Sequence, residues 1–357
     1  MSLCVRACAA TVWLLAATGP QVLDAPSSHP STPVTRRVAL MGTWAALTTY
    51  AGSRTEAVSA LDAKVRILEQ TESELSTWRP TSALSQINRL PIDAAGALDP
   101  PLCRLLERVQ RWQRRTAGAF DPAIGALIAA WDLRGAGRIP TEAELALARA
   151  RAGWTYVAMD GQACLLRRRR DVTLDAGAFG KGEALDRILA TGEDVGPWLV
   201  DLGGQVAVSG PRPDGSGWPV ALAHARRRRL GLIALELRGG SLATSAGSER
   251  DRVIGDRRVG HVIDPRSGHP APFNGSVTVW HERALAADIL STALFVMGPT
   301  AGLRWAERRD VAALFQVLDG ASATGPLALR PSRAFVRQFP GWPPVVNIPR
   351  RTETPLN

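Results

Sequence analysis

The order of helical and β-prone segments constrains the fold of this chain more than any other feature. A β-prone segment over 38–49 comes first. Three amphipathic helical segments follow, one after Ser53, one over residues 100–116 and one after Thr141, and the first and third begin with capping boxes. A helix over 284–297 and a strand over 311–317 come last. Short β-prone runs lie between them, at 156–159, 163–168, 172–174, 198–202, 205–209, 219–223 and 230–237. Because these segments do not alternate strictly as βαβ units, they predict an α+β fold of mixed or antiparallel sheets packed with helices.

The two ends of the chain differ in composition from its middle. Residues 1–19 carry one Arg and an apolar stretch over 7–17, which is typical of a signal peptide or short anchor. This segment predicts an exported protein, periplasmic or membrane-anchored and facing outward; if it is not a signal, the protein is cytoplasmic. The chain from Pro340 onward is predicted to be a loose tail. The predicted organisation is a signal peptide or anchor with a Pro-rich linker over 1–34, one large domain over 35–325, and a Pro-rich C-terminal extension over 326–357.

Composition excludes other classes of protein. No apolar run reaches the roughly 18–20 residues that cross a bilayer, so the chain is not a polytopic membrane protein. The formal net charge is +10, but only Lys64 and Lys181 are lysines. The arginine runs at 167–170 and 226–229 lack interleaved aromatic residues, which indicates solvated edges and no nucleic-acid partner. The four cysteines contain no C-x-x-C pair, which predicts neither a disulfide framework nor a structural zinc site.

A glycine-rich loop between a β-prone run and a helix is the most informative segment. Residues 172–187 read V-T-L-D-A-G-A-F-G-K-G-E-A-L-D-R, so the run ends at Asp175 and a helix begins after the loop. Free backbone N–H groups at a helix start suit a phosphate, and Lys181 lies at the mouth of this loop. The alternative is an ordinary helix-start loop, because the segment matches neither a Walker A motif nor G-x-G-x-x-G.

Two further segments carry polar groups that could do chemistry. Asp288 and Thr292 project from one face of an otherwise apolar helix, with Ser291 beside them. A buried carboxylate needs a partner or a cation, and oxygen-only ligands indicate Mg²⁺ or Ca²⁺. The alternative is an Asp that caps the helix or faces solvent. His261 and Asp264 flank a short β-prone run before a Pro-Arg-Ser-Gly turn, although a lone His is more often structural than catalytic.

Seven sequence blocks follow one another across about residues 38–320. The blocks are M-G-T at 41–43, L-S-T-W-R-P-T-S-A-L-S-Q-I-N-R at 75–89, T-A-G-A-F-D-P-A-I-G at 116–125, K-G-E-A-L-D-R at 181–187, L-V-D-L-G-G at 199–204, L-A-T-S at 242–245 with H-V-I-D-P-R-S-G at 261–268, and A-D-x-x-S-T-A-L at 287–294. With these blocks in this order, the chain resembles the FAD:protein FMN transferase family (ApbE). The resemblance implies an ApbE-like, T-fold-related single large domain.

The resemblance also implies roles for particular residues. Asp288 and Thr292 would be side-chain ligands of Mg²⁺, with the backbone carbonyl of Ala178 and with Ser291, which replaces a second Asp that is common in the family. His261 would lie beside the reacting phosphorus. The implied FAD contacts, in which the rings of Trp78 and Phe120 could pack on flavin or adenine, are Met41, Trp78, Ala119, Phe120, Asp121, Asp175, Lys181 and Ile263. The chain departs from the family pattern at Phe179, Gly180 and Glu183.

The activity implied by the resemblance is Mg²⁺-dependent transfer of FMN from FAD to a threonine or serine hydroxyl of a target protein, with release of AMP. The implied target is a flavoprotein subunit of an exported or membrane electron-transfer complex. One alternative is a Mg²⁺-dependent FAD pyrophosphatase that gives FMN and AMP, which the loop departures leave open. The other is a non-catalytic flavin-binding carrier. The Asp288 and Thr292 pair argues against a carrier, because flavin storage needs no metal.

Overall fold

The computed structural model describes residues 32–192, 195–227, 229–247, 251–255, 257–318, 327–341 and 345–349. The predicted signal peptide or anchor, Cys4 and Cys8 lie outside the described residues. The prediction of export therefore rests on the sequence alone at this stage.

Helices and strands alternate irregularly along the described chain, as the sequence pattern predicts. The helices are α1 (Arg54–Leu75), α2 (Ala83–Asn88), α3 (Pro100–Arg115), α4 (Gly125–Ala130), α5 (Glu142–Ala150), α6 (Gly180–Leu189), α7 (Ala284–Arg308) and α8 (Arg333–Gln338). The strands are β1 (Val34–Leu40), β2 (Thr43–Thr49), β3 (Ala95–Ala97), β4 (Val157–Asp160), β5 (Leu165–Arg168), β6 (Trp198–Leu202), β7 (Gln205–Val208), β8 (Trp218–Ala223), β9 (Leu230–Leu237), β10 (Gly240–Ala246), β11 (Arg252–Ile254), β12 (Arg257–Val259), β13 (Gly275–His281), β14 (Ala312–Leu318), β15 (Leu327–Pro331) and β16 (Val345–Pro349).

One large antiparallel sheet organises the protein. Its strand order is β1-β2-β6-β7-β10-β13-β14-β15, and each neighbouring pair is antiparallel. Smaller sheets of order β16-β9-β8, β3-β5-β4 and β11-β12 accompany it among the described residues. The predicted α+β class with antiparallel sheets and packed helices is confirmed.

Alternating residues of the large sheet form two packing layers. In β7, Ala207 packs with α1 and α6, whereas Val206 and Val208 pack with β8 and β9 on the opposite face. In β14, Phe315 packs with α7, whereas Leu314 packs with β9 and α8. This alternation is the two-residue period of a strand that is buried on both faces. The helical layer carries α1, α6 and α7 side by side over the sheet.

Helix α7 is buried on two sides. Leu290 and Leu294 pack against β13 and β14, while Leu285 and Ile289 pack against α3 and the β4–β5 hairpin. By length and composition α7 is the one helix in the described residues that could cross a membrane, with a mean hydropathy of 1.4. However, 67% of that window is buried inside the protein, so α7 is a core helix.

The predicted strand over residues 172–174 is wrong, because its backbone groups bond outside any sheet ladder. The N–H of Leu174 donates to Asn88 Oδ1 at 2.8 Å, and Asn88 Nδ2 donates to the Leu174 carbonyl at 2.9 Å. The Thr173 carbonyl accepts from the N–H of Gly125 at 2.9 Å. The segment is extended and buried, which gives it the composition of a strand without the pairing.

The prediction of a loose tail from Pro340 is wrong for Val345–Pro349. This segment is β16, and it pairs antiparallel with β9. Upstream of it, β15 extends the large sheet by pairing with β14. Because β16 lies at a sheet edge, a strand position that tolerates proline, its Pro-rich surroundings conceal it from sequence reasoning.

The prediction that the cysteines form no disulfide framework is contradicted by one bridge. Cys103 in α3 is bonded to Cys164 just before β5, with Cα atoms 5.5 Å apart. The two residues are separated by 61 positions in the chain, and no short spacing motif reveals a pairing that the fold creates. The bridge ties α3 to the β4–β5 hairpin within the core that covers α7.

Asp186 joins α6 to the start of α7. Its Oδ1 accepts from the N–H of Ala284 at 2.5 Å, and no side chain of α7 itself caps that helix. The first N–H groups of a helix have no partner within the helix, so this carboxylate satisfies one of them from a neighbouring helix. Burial raises the pKa of Asp186 to about 6, against opposing hydrogen bonds from backbone N–H groups.

We expect Asp186→Ala to lower the free energy of unfolding by about 1 kcal/mol, because the variant loses the cap. Asp186→Asn keeps an acceptor oxygen and is the matched control. The native state of the wild type binds this proton more tightly than the unfolded chain does. The stability of the wild type relative to Asp186→Asn should therefore fall as the pH rises from the ordinary value of 3.8 to about 6. Urea denaturation across this range measures both effects, and an unchanged midpoint in Asp186→Ala would contradict the cap.

Candidate active site

A buried salt bridge joins the start of α6 to the second turn of α7. Lys181 Nζ lies 3.1 Å from Asp288 Oδ1 and 3.3 Å from Oδ2, and the N–H of Gly182 donates to Oδ2 at 2.9 Å. The Asp288 side chain is 7% exposed and that of Lys181 is 20% exposed. Asp288 therefore neither caps α7 nor faces solvent, and its charge is compensated by an ammonium group and a helix N-terminal N–H.

Gly182 makes this contact between helices possible. A Cβ atom at this position would lie 2.6 Å from the Ala284 carbonyl, 2.7 Å from the Leu285 Cα and 2.8 Å from the Asp288 Cβ. All three distances are shorter than real Cβ contacts, and two of the atoms belong to the backbone of α7. The glycine is required because the two helices approach each other closely, which the sequence analysis did not recognise.

Three hydroxyl groups lie together beside Asp288. Ser245 Oγ, at the end of β10, lies 2.9 Å from Ser291 Oγ and 3.3 Å from Thr292 Oγ1. Ser291 Oγ also donates to the Asp288 carbonyl at 2.9 Å. Ser245 belongs to the L-A-T-S block, but the sequence analysis assigned it no role. The structure thus brings Asp288, Ser291 and Thr292 together and adds a hydroxyl from the sheet.

This group of donors fits a hard cation by its chemistry. It consists of one carboxylate and neutral oxygens, which suits Mg²⁺ that retains several of its waters. Ala178, whose carbonyl is the remaining predicted ligand, lies in the turn that leads into α6. Among the described residues no group of three or more His, Cys, Asp or Glu side chains could hold a metal ion, so Asp288 would be the central charged ligand.

An exposed aromatic ring lies near the loop that precedes α6. The Trp78 side chain is 70% exposed, and the Arg134 guanidinium lies 5.1 Å from its ring centroid. Arg134 also donates to Asp175 Oδ2, and it donates to Thr77 Oγ1 at 2.6 Å. Asp175 Oδ1 accepts from the N–H of Gly177 at 2.7 Å. The structure thus links two of the predicted FAD contacts through Arg134, which sequence reasoning missed.

Met41 lies close to Gly180, the first residue of α6. Its backbone is in the left-handed region, with φ of 53°, and its N–H donates to Glu72 Oε1 at 2.9 Å. The Met41 Cε lies 3.7 Å from the position of a Cβ built on Gly180. Met41 is therefore next to the residue that precedes Lys181, as a shared site requires.

Four predicted FAD contacts are buried in the protein. Phe120 is 2% exposed and packs in the core, so the structure contradicts the prediction that its ring is available for flavin or adenine. Ala119 and Ile263 are also buried, and Ile263 pairs with Pro270 through an isolated backbone bridge. The side chains of these residues therefore pack inside the protein.

Asp121 is the fourth of these buried residues, and protein groups satisfy its carboxylate. Its oxygens accept from the N–H of Ala123 at 2.9 Å, the N–H of Trp154 at 3.0 Å and Gln113 Nε2 at 3.1 Å. Burial raises the pKa of Asp121, against the effect of these hydrogen bonds. These contacts hold the backbone at Ala123 and Trp154 in place.

His261 is hydrogen-bonded to Asp251, a residue that the sequence analysis did not single out. The Asp251 Oδ1 lies 2.9 Å from His261 Nδ1 and accepts from the His261 N–H at 3.1 Å. Arg258 Nε donates to Asp251 Oδ2 at 3.1 Å. The other predicted candidate, Asp264, is held by Arg266 through two hydrogen bonds of 2.8 Å.

Two of the residues that depart from the family pattern, Phe179 and Glu183, are buried in this chain. Phe179 is fully buried in the core. Glu183 is 4% exposed, and its carboxylate accepts from Arg108 Nη2 at 2.5 Å and from Arg187 Nε at 3.0 Å. Arg187 also donates to Glu74 at 2.7 Å. An ion-pair network that includes Glu183 thus holds α6 to α1 and α3.

The structure describes a helix start with a lysine paired to a buried carboxylate, and a histidine paired with a second carboxylate. The first arrangement suits a phosphate group, and the second suits a proton acceptor. The chain belongs to the ApbE family, because the family model matches residues 41–315. The family resemblance predicted from the sequence is confirmed.

Curated relatives and solved structures agree with this assignment. The chain is 29% identical over 276 residues to the FAD:protein FMN transferase of Salmonella typhimurium, covering 74% of this chain and 79% of the relative. It is 32% identical over 266 residues to that of Treponema pallidum, covering 68% and 72%. The flavinyl transferase ApbE of Pseudomonas stutzeri, in its apo form, superposes with a TM-score of 0.75 at 30% identity, over 86% of this chain and 97% of that one. The ApbE protein of Thermotoga maritima gives 0.76 at 26% identity, over 85% and 98%. All the relatives named here as enzymes are transferases.

We expect Gly182→Ala to lower the free energy of unfolding by about 1–3 kcal/mol, because the added methyl group must displace the backbone of α7. Gly239→Ala is the matched control, since a Cβ at Gly239 meets no atom within 4 Å, and its effect should stay within about 0.5 kcal/mol. Chemical denaturation measures both. Equal stability of the two variants would show that α6 and α7 do not need this close contact.

Proposed function

We propose that this protein transfers FMN from FAD to a threonine or serine hydroxyl of a target protein and releases AMP, in a Mg²⁺-dependent reaction. The observation that carries the proposal is the Lys181–Asp288 pair at the start of α6, with the hydroxyl groups of Ser291 and Thr292 bonded to the Asp288 carbonyl one turn further along α7. A lysine and N–H groups at a helix start suit a pyrophosphate, and a carboxylate with hydroxyl oxygens suits a hard cation. The names of the relatives support the same reaction.

The proposed transfer step is a nucleophilic displacement at phosphorus. The acceptor oxygen attacks the phosphorus on the FMN side of the pyrophosphate, and the bond from that phosphorus to the bridging oxygen breaks. AMP leaves with the electron pair. The acceptor hydroxyl proton goes to His261, because a histidine is a suitable base near neutral pH. Lys181 neutralises charge on the phosphates, and the exposed ring of Trp78 gives the flavin or adenine a surface for stacking.

Mg²⁺ is proposed to be held by Asp288 and Thr292, with Ser291 and the Ala178 carbonyl. When bound, this cation supplies charge neutralisation on the pyrophosphate oxygens. Lys181 compensates Asp288 in the structure, so it would remain close to a bound metal and its phosphate partner. A flavin carrier would not need a carboxylate buried at this position, which argues against the non-catalytic alternative.

The proposed target is a protein outside the cytoplasm, on an exported or membrane electron-transfer complex. The apolar segment over residues 7–17 is the sequence argument. The Cys103–Cys164 bridge supports the same location, since disulfides persist mainly in oxidising compartments. Recovery of the protein only from the soluble cytoplasmic fraction of its own cells, with both thiols reduced, would contradict this location.

Incubation with FAD, Mg²⁺ and a candidate acceptor, followed by a denaturing gel, tests the proposed reaction. Flavin fluorescence is expected in the acceptor band, with one AMP released for each flavin attached. AMP release without an acceptor would instead establish the pyrophosphatase alternative. FAD binding that is equally tight with and without Mg²⁺, and no AMP, would establish a carrier.

We expect Asp288→Asn to lower the transfer rate by about 10²–10³-fold and to remove its dependence on Mg²⁺, because the charged ligand is lost. The amide keeps an acceptor for the N–H of Gly182, so the fold should be retained. Asp171→Asn is the matched control, since Asp171 is 60% exposed and its ion pairs, to the exposed Arg151 and to Arg168, are long, at 3.9 Å and 3.6 Å. Calorimetric titration with Mg²⁺ and the gel assay measure both variants. Unchanged Mg²⁺ dependence in Asp288→Asn would remove the metal-site assignment.

A further inference from the structure

We propose that Asp251 is the positioning residue of His261. Asp251 holds the imidazole so that the ring proton is on Nδ1 and the lone pair of Nε2 is available to the acceptor hydroxyl. This inference deepens the proposed function and rests on it. Neither the sequence motifs nor the family resemblance pointed to Asp251. The inference comes from contacts that the fold creates between two residues ten positions apart.

Two contacts orient the histidine from the same carboxylate oxygen. Asp251 Oδ1 is 2.9 Å from His261 Nδ1 and 3.1 Å from the His261 backbone nitrogen. The backbone contact fixes the position of the main chain at His261, and the ring contact fixes the rotation of the imidazole. A side chain held at both points has less freedom than one held through its ring alone, so Asp251 can determine the direction of Nε2.

The other side of the Asp251 carboxylate is held as well. Arg258 Nε donates to Asp251 Oδ2 at 3.1 Å, and the Asp251 side chain is 5% exposed while that of His261 is 25% exposed. The contacts therefore run from arginine to carboxylate to imidazole, and the buried Asp251 lies between the exposed Arg258, at 54%, and the partly exposed His261. The same order of an anchored carboxylate and a more exposed histidine recurs in sites where a histidine accepts a proton from a hydroxyl group.

The charge state of Asp251 decides which ring nitrogen carries the proton. Burial alone would raise the pKa of Asp251, but the hydrogen bonds from His261 and Arg258 outweigh it and hold the pKa below its usual range. An ionised carboxylate can only accept hydrogen bonds. In the neutral imidazole, Nδ1 must then be the donor to Asp251, and Nε2 is left as the acceptor.

A cavity adjoins this pair. Its volume is about 400 Å³, and Asp251, Gly260 and Val262 line it together with Trp131 and Phe273. The neighbours of His261 on both sides along the chain thus reach the cavity wall. The His261 side chain itself does not line the cavity, so the cavity borders the Asp251 end of the pair.

The measurement that tests the proposal directly uses the wild-type protein. The ¹⁵N chemical shifts of its histidine rings report the tautomer, and the His261 signals are those absent from His261→Ala. The expected result is that the neutral form of the His261 ring carries its proton on Nδ1. A proton on Nε2 in the wild type would overturn the proposal, whatever the behaviour of any variant. This readout does not depend on FMN transfer, so it separates failure of the positioning role from failure of the proposed reaction.

The second arm uses Asp251→Ala, His261→Ala and the double variant. His261→Ala should lower kcat by about 10²–10⁴-fold with little change in FAD affinity. Asp251→Ala should lower kcat by at least about tenfold and by no more than His261→Ala, again with little change in KM for FAD. Because Asp251 acts through His261, the double variant should be no slower than His261→Ala alone. Asp171→Ala, which removes an exposed carboxylate, is the control and should match the wild type.

The remaining outcomes contradict the proposal. An additional loss in the double variant, equal to the loss caused by Asp251→Ala alone, would show that Asp251 acts independently of His261. Unchanged kcat in a folded Asp251→Ala would show that the contact does not serve the reaction. Should Asp251→Ala not fold, the tautomer of the wild type still decides the question.

Discussion

The buried charge of Asp288 is the constraint on which the rest of the site depends. A carboxylate inside an apolar helix must be compensated, and here the compensation comes from the first turn of α6 through Lys181 and the N–H of Gly182. That contact requires α6 and α7 to approach so closely that only glycine fits at residue 182. It also aligns Asp186 with the start of α7, where this side chain satisfies the N–H of Ala284. One electrostatic requirement thus fixes the spacing of two helices and the position of the loop before α6.

The ion pairs behind α6 hold that arrangement in place. Glu183 lies on the same helix as Lys181, and its carboxylate contacts Arg108 of α3 and Arg187 of α6, while Arg187 reaches Glu74 of α1. Breaking such a network by removing one partner leaves a buried charge without compensation, which is costly. Arginine suits this role because its guanidinium can donate to two carboxylates at once. The departure at Glu183 therefore changes the means by which α6 is held and leaves the contact to Asp288 intact.

The fold class and most helix and strand positions followed from local pattern, because periodicity and caps are properties of neighbouring residues. The capping box of Thr141 and Glu144 forms as predicted, whereas the run at 172–174 misled because burial, not pairing, determines its composition. In the site, Asp288 was recognisable because a polar residue interrupts an apolar helix. Asp251 and Arg134 were not, since nothing in the local sequence distinguishes them from other charged residues. Cys103 and Cys164 show the same limit, because their contact depends on the packing of α3 against β5.

The buried carboxylates differ in the kind of group that each one contacts. Asp121 is surrounded by neutral donors, and burial raises its pKa; its contacts fix the turn around Ala123 and Trp154. Asp251 is also buried, but it faces an arginine and a histidine, and its pKa is lowered. Burial is common to both, so burial alone does not identify a group that takes part in a reaction. The difference lies in the partners: Asp121 accepts only from neutral donors, whereas Asp251 faces a histidine and an arginine and Asp288 faces a lysine.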